Sequence, residues 1–235
     1  MLNTMSAAPI ATTRVLELAQ SLYDRSGIHA NAYLTRLESG AMGLEEFRRS
    51  QEQFFNAVTF FPRPMATLIA RIPDPRARLA ILRNLVEEHG DFQESAFHHS
   101  TFLELLRRIG ADPESAQTTT PMNPAVRAFN ATLAAACALD ELEVGLCAIG
   151  AIELAFAGIS QRIGSAIVTN QWIAPEQLVH YALHADIDPK HAAEFFAVVE
   201  ASFGERRYWI DQGIRLGFYA IDRLYRDLQL DSAPD

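Results

Sequence analysis

Apolar residues return every three to four positions along nearly the whole chain. Val15, Leu16, Leu18, Ala19 and Leu22 do so near the start, Phe47, Phe54, Phe55 and Val58 further on, and Ile214, Phe218, Ile221, Leu224 and Leu228 near the end. That spacing is the period of an α-helix with one face turned to a core. No stretch alternates apolar and polar residues long enough to make a half-buried strand. The pattern predicts an all-α protein of about seven to nine helices.

Breakers place the helix ends. Ser39-Gly40 ends one helix, Asp74-Pro75 opens another with an N-cap and a proline at its first position, and Gly90 and Gly110 close two more. Pro62 and Pro64 fall near the middle of a Phe-rich helix and predict a kink there. The polar, proline-bearing stretch from Ala111 to Pro124 is the longest expected loop. With apolar helices needed on both sides of it to build one core, residues 14–230 form a single expected domain. Residues 1–13 are the expected frayed terminus. No repeat or low-complexity tract is present.

Composition narrows the function classes. A chain of 235 residues buries roughly 70% of its unfolded surface in a single core, so it needs no disulfide or structural metal to fold. Cys137 and Cys147 offer no disulfide framework or zinc-ribbon pattern, and a reducing, cytoplasmic setting is expected. A formal charge of −9 repels a phosphate backbone, and Arg206-Arg207 is too short a basic cluster to track one, so no nucleic-acid partner is expected. No uncharged run reaches the ~20 residues of a bilayer crossing. The longest apolar stretch, Ile149 to Ile159, is interrupted by Glu153, and Met1 to Thr13 lacks the pattern of an export signal, so no membrane partner is expected either.

Three polar groups carry candidate chemistry. His184, Asp188 and His191 stand at i, i+4 and i+7, so on an unbroken helix two imidazoles and a carboxylate share one face. That mixed nitrogen and oxygen set suits iron, manganese or zinc. Pro189 leaves a second option open, in which Asp188 caps a fresh helix that begins at the proline. The run Asn84-Leu85-Val86-Glu87-Glu88-His89-Gly90, followed by His98 and His99, can bring a Glu at one helix end to a His at the start of the next. Glu153 is a single charge in an apolar, small-residue helix. Such a carboxylate is costly to bury unless it is paired or metal-bound, and a salt bridge to an Arg is the alternative to a ligand role. Together Glu88, His98, Glu153, His184, Asp188 and His191 supply three carboxylates and three imidazoles from four or five helices, about right for two metals in a bundle core.

In this order the residues resemble the haem-oxygenase-like di-iron oxidases and oxygenases, the CADD-like iron-containing redox enzymes, which have TenA and PqqC as fold relatives. The family pattern is Asn-Leu-x-(Asp/Glu)-Glu, a His opening the next helix, a lone Glu in an apolar helix, then His-x3-Asp-x2-His. It is met by Asn84-Leu85 with Glu88, then His98, Glu153, His184, Asp188 and His191. Gly40, Phe61-Pro62 and Gly110 also match, and the resemblance spans roughly residues 26 to 205. It implies a haem-oxygenase-like helical bundle, two iron ions and O2 as co-substrate. Glu88, His98 and Asp188 would serve one iron and His184 and His191 the other, with Glu153 shared and catalytic beside Asp188. Glu87 and His99 are the competing ligands.

The resemblance further implies a small-molecule substrate, an external reductant and a homodimer. Relatives act by N-oxygenation, desaturation or C–C cleavage, and a small amine or amino-acid-derived metabolite is the expected substrate, beside a wall drawn from Phe54, Phe55, Phe61 and Phe97. Where aminobenzoate-forming relatives carry a consumed tyrosine and an assisting lysine, this chain has Leu34 and Ile163, with Tyr33 next door. That departure argues against self-sacrificing synthesis. The alternatives are a metal-free TenA- or PqqC-like enzyme on a heteroaromatic substrate and a partner-binding bundle without catalysis.

Overall fold

The computed structural model describes residues 13–118 and 121–230, the last two by backbone alone; of the residues 1–13 expected to fray, all but Thr13 lie outside these. Among the described residues there are eleven α-helices and no strand: α1 (Arg14–Asp24), α2 (Ala32–Glu38), α3 (Leu44–Val58), α4 (Pro62–Arg71), α5 (Arg78–Glu88), α6 (His98–Arg108), α7 (Pro113–Thr118), α8 (Pro124–Ala138), α9 (Leu142–Thr169), α10 (His180–Val199) and α11 (Arg207–Leu230). The count exceeds the sequence expectation for two reasons. The proline pair divides the Phe-rich helix into α3 and α4, although Thr59 and Phe61 keep right-handed helical backbone through the joint. The expected loop after Gly110 contains α7.

Local chemistry accounts for most ends. Thr13 is a cap, its side chain accepting from the Leu16 amide at 3.1 Å. Asn31 caps α2 by accepting from the Tyr33 amide at 3.0 Å, while its own amide group donates to the Asp222 carboxylate of α11 at 2.8 Å. Asn123 caps α8 just ahead of Pro124. Asp74-Pro75 departs from expectation: the Asp74 side chain accepts from the Arg76 amide in a turn, and α5 begins only at Arg78.

α9 is the axis of the bundle, with α10 and α11 packed along it. It is apolar on nearly every face because it is enclosed on nearly every face. By length and hydropathy it is also the one described helix long and apolar enough to cross a membrane, although Glu153 interrupts it and 72% of its most apolar window is buried in the bundle. Small residues let the helices approach closely. A Cβ on Gly213 of α11 would lie 2.6 Å from the Val144 carbonyl of α9, and one on Gly217 would lie 2.8 Å from the Ala151 Cβ. On the other flank, a Cβ at Gly150 would meet the Phe196 ring of α10 at 2.9 Å. This contact fixes α10 one turn away from Glu153.

α10 runs unbroken through Pro189, so Asp188 lies within the helix and does not cap a new one. The proline gives up its bond to the Ala185 carbonyl, a cost of about 3 kcal/mol. The long α9–α10 contact outweighs it.

Candidate metal centre

Four helices converge on one buried spot. α10 projects His184, Asp188 and His191 from a single face, α9 contributes Glu153, and Glu88 and His98 come from the end of α5 and the start of α6. The turn between those two donors runs through Gly90, Asp91 and Phe92, all with positive φ (55°, 51° and 67°). Glycine is required at the first, where a Cβ would sit 2.5 Å from the Ala96 backbone.

The structure thus brings together all six expected residues, and none exposes more than 7% of its surface. His98 Nδ1 lies 3.0 Å from Glu88 Oε1, and His184 Nδ1 lies 2.9 Å from Asp188 Oδ1. His191 Nδ1 is 3.9 Å from Glu153 Oε2 and 4.0 Å from Asp188 Oδ1. The rings of His98 and His184 stand 4.6 Å apart. The geometry regroups the expected partition. Asp188 sits with Glu153 and His191, whose donor atoms all fall within 4.8 Å of one another, and His184 faces the Glu88–His98 pair.

These groups do not satisfy each other. Glu153 Oε1, Asp188 Oδ2, His98 Nδ1 and His191 Nδ1 are buried without a hydrogen-bond partner; the His98–Glu88 contact is short but misdirected. The salt bridge to an Arg that was an option for Glu153 is not formed, and among the described residues its ion-pairing neighbour is His191. Orphaned donor atoms of this kind are rare in native interiors. A cation between them would satisfy carboxylate and imidazole together, so the residues fit iron.

Protonation follows from the burial. Burial, then the neighbouring Asp188 and Glu88 carboxylates, pushes Glu153 well above the usual range, and burial followed by Glu88 does the same to Asp188. Burial pulls His184 down to about 4 against the opposing charge of Glu88. Glu88 is also disfavoured as an anion by burial, but His98, His184 and His191 outweigh this and bring it below its ordinary value. Without a cation, burial disfavours the charged forms of His184 and His191 and keeps protons on the crowded Glu153 and Asp188 carboxyls.

The two competitors fall outside. Glu87 accepts a hydrogen bond from His191 Nε2 at 2.6 Å and one from Lys190 at 3.2 Å. It therefore turns His191 so that Nδ1 faces Glu153, the outer-carboxylate role common behind metal-binding histidines. His99 is half-buried against the Phe55 ring, at 5.3 Å, away from the cluster.

A cavity of about 50 Å³ adjoins the donors, walled by Phe54, Phe61, Ile152 and Phe156. Phe54 and Phe61 were expected there. Phe55 and Phe97 were too, but they line an outer groove on the far side of Glu88. His180, not among the expected residues, is buried in the cavity wall one helical turn before His184. Its spacing of four from His184 was the available signal.

Comparison with known proteins identifies the family and the fold. Residues 48–224 match the profile of a family described as iron-containing redox enzymes. The 4-aminobenzoate synthase of Chlamydia trachomatis is 22% identical over 171 residues, 72% of each chain, and that of Chlamydia muridarum is 22% identical over 169 residues, 72% of this chain and 70% of its own. A CADD-like protein of Nostoc punctiforme superposes with a TM-score of 0.77 at 16% identity, covering 93% of this chain and 96% of its own. A TenA homologue of Pseudomonas syringae gives 0.72 at 14%, covering 95% and 97%. The fold is haem-oxygenase-like, and the chain belongs to the iron-containing redox enzyme family, a group of oxidoreductases.

Proposed function

We propose that this protein is an O2-dependent, non-haem di-iron oxidase or oxygenase that acts on a small amine or amino-acid-derived metabolite. The observation that carries the proposal is the set of six buried donors from four helices, with orphaned atoms on Glu153, Asp188, His98 and His191. Glu88, His98 and His184 would hold one metal and Asp188 and His191 the other, with Glu153 between them. Iron bound there supplies electrons to O2, chemistry that side chains alone do not perform.

The chain's own groups do the rest. Glu153 and Asp188 give up their protons when a cation enters, which makes metal uptake proton-linked. Glu87 keeps His191 in one orientation. The phenyl wall excludes water, and the cavity of about 50 Å³ beside the donors receives a small group of the substrate. Similarity to aminobenzoate synthases favours an amine-bearing metabolite. Leu34 and Ile163, both buried apolar positions here, speak against consumption of the chain's own tyrosine.

The test is anaerobic Fe(II) titration of the full chain, followed by exposure to O2 with uptake recorded. The expected result is a stoichiometry near two and O2 consumption that falls by orders of magnitude in Glu153→Ala and Asp188→Ala. A chain that binds no iron supports a metal-free TenA-like activity instead. Uptake that survives both substitutions removes these residues from the centre.

A further inference from the structure

His180 is not among the six donors, yet it lines the same cavity, is 1% exposed, and its Nε2 has no partner. Its other ring nitrogen is tied down. His180 Nδ1 lies 3.0 Å from the Thr101 hydroxyl oxygen, and that hydroxyl also lies 3.0 Å from the His98 carbonyl. A carbonyl only accepts, so with the single hydroxyl hydrogen of Thr101 on the His98 carbonyl, the hydroxyl oxygen accepts from His180 and the imidazole carries its proton on Nδ1. Nε2 is then a lone pair in the wall that His180 shares with Phe54, Phe61 and Phe156.

The ring itself is braced. Phe102 meets it edge-on at 4.8 Å and His184 lies 4.5 Å away, so His180 has little freedom to turn its free nitrogen elsewhere. A buried acceptor without a donor is costly, and a ligand that supplies the donor recovers that cost.

We propose that His180, locked by Thr101 as the Nδ1–H tautomer, is the acceptor that selects a compact substrate group bearing an N–H or O–H. The inference rests on the proposed small-molecule reaction for its purpose. The tautomer and the binding preference, however, are properties of the chain that need no turnover. A site built this way rejects an isostere without the donor, because Nε2 is then sealed in unpaired. His180 is thus a specificity-determining residue, positioned by Thr101.

The experiment uses the full chain labelled with ¹⁵N-histidine, without metal and loaded with diamagnetic Zn(II), and reads the two ring nitrogens of His180 by long-range ¹⁵N–¹H correlation. Acetamide and acetone, of nearly one shape but with and without N–H donors, are the probes. The expected result is a protonated Nδ1 and an unprotonated Nε2, with acetamide shifting Nε2 and binding about 10-fold tighter than acetone. Thr101→Val should release the tautomer into a mixture, and His180→Phe should bring the acetamide preference close to onefold. Three outcomes would overturn the proposal: a proton on Nε2, a Zn(II) coordination shift at Nε2 showing that His180 is a metal ligand, or an acetamide preference retained in His180→Phe. Thr101→Val, which leaves the His180 ring in place, keeps the test decisive if His180→Phe folds poorly. Loss of iron-dependent O2 uptake with the ¹⁵N result intact would sink the proposed function and leave this one standing.

Discussion

Glu153→Leu should make the metal-free protein more stable while removing its response to metal. Glu153 is 3% exposed, one of its oxygens has no partner, and its closest carboxyl neighbours, Asp188 and Glu88, carry the same sign. Replacing a buried ion pair by apolar groups of similar volume is neutral or stabilises by about 1–4 kcal/mol, and the His191 contact of Glu153, at 3.9 Å, is too long to offset its crowding by other carboxyls. The retained neighbours place this case in the lower half, about 1–2 kcal/mol. For a chain of this length each kcal/mol moves the midpoint by about 2–4 °C, so Tm should rise by about 2–8 °C. Fe(II) at a hundred times its Kd should stabilise the wild type by about 2.7 kcal/mol, or about 5–10 °C, and Glu153→Leu should gain almost none of this. Anaerobic scanning calorimetry with and without Fe(II) reads both shifts.

The sign of the pH dependence adds a second check. The folded-state value of Glu153 lies above the ordinary 4.5, so the folded chain holds its proton longer than the unfolded chain does. The stability linked to that proton is complete below about 4.5 and is lost as pH rises through the folded value. The advantage of Glu153→Leu over the metal-free wild type should therefore widen from pH 5 towards pH 8, with Asp188 retaining its own share of the slope. A variant less stable than wild type by more than about 1 kcal/mol, or one that keeps the full Fe(II) shift, would refute the argument that Glu153 is an unpaired ligand held at a cost.

Other substitutions probe the supports. Glu87→Gln should weaken metal binding about 10- to 100-fold without unfolding the chain, read by competition with a chromophoric chelator, because His191 loses the carboxylate that orients it. Gly213→Ala should cost about 1–3 kcal/mol in denaturant unfolding, since its methyl would stand 2.6 Å from the Val144 carbonyl. Phe102→Ala should cost about 3–5 kcal/mol, because this fully buried ring packs against Phe54, Phe55 and His180. Fe(II) affinity of the wild type should increase with pH between 5 and 8, as the protons held by Glu153 and Asp188 are displaced; a flat profile would show that no proton leaves them.

How much could be read in advance depends on the range of the interactions involved. His184, Asp188, His191 and Glu153 were legible because the spacing on α10 and the isolation of Glu153 in an apolar helix are local patterns, whereas Glu88 and His98 stood out through the family resemblance. Which helix meets which is not local, so the grouping of Asp188 with Glu153 and His191 follows only from the packing of α9 against α10. Likewise Pro189 left two options, decided only by tertiary packing that overrides its local cost. His180 carried a local signal in its spacing of four from His184, but the contact that ties its ring, to Thr101, spans 79 residues and has none. α7 was missed because a polar one-and-a-half-turn helix has no apolar stripe to announce it, and Asp74-Pro75 because a turn and an N-cap share the same signature.

The left-handed joint at Gly90, Asp91 and Phe92 gives the centre two mechanical halves. Asp91 and Phe92 each hold a backbone conformation that costs an ordinary residue about 1–2 kcal/mol, so the link between Glu88 and His98 behaves as a loaded spring. The opposite donors ride on α9 and α10, long rods with Gly150 seated against Phe196. A shift of Glu88 against His98 would relieve backbone strain, whereas a shift of Glu153 against the α10 residues would have to open a tight helix contact.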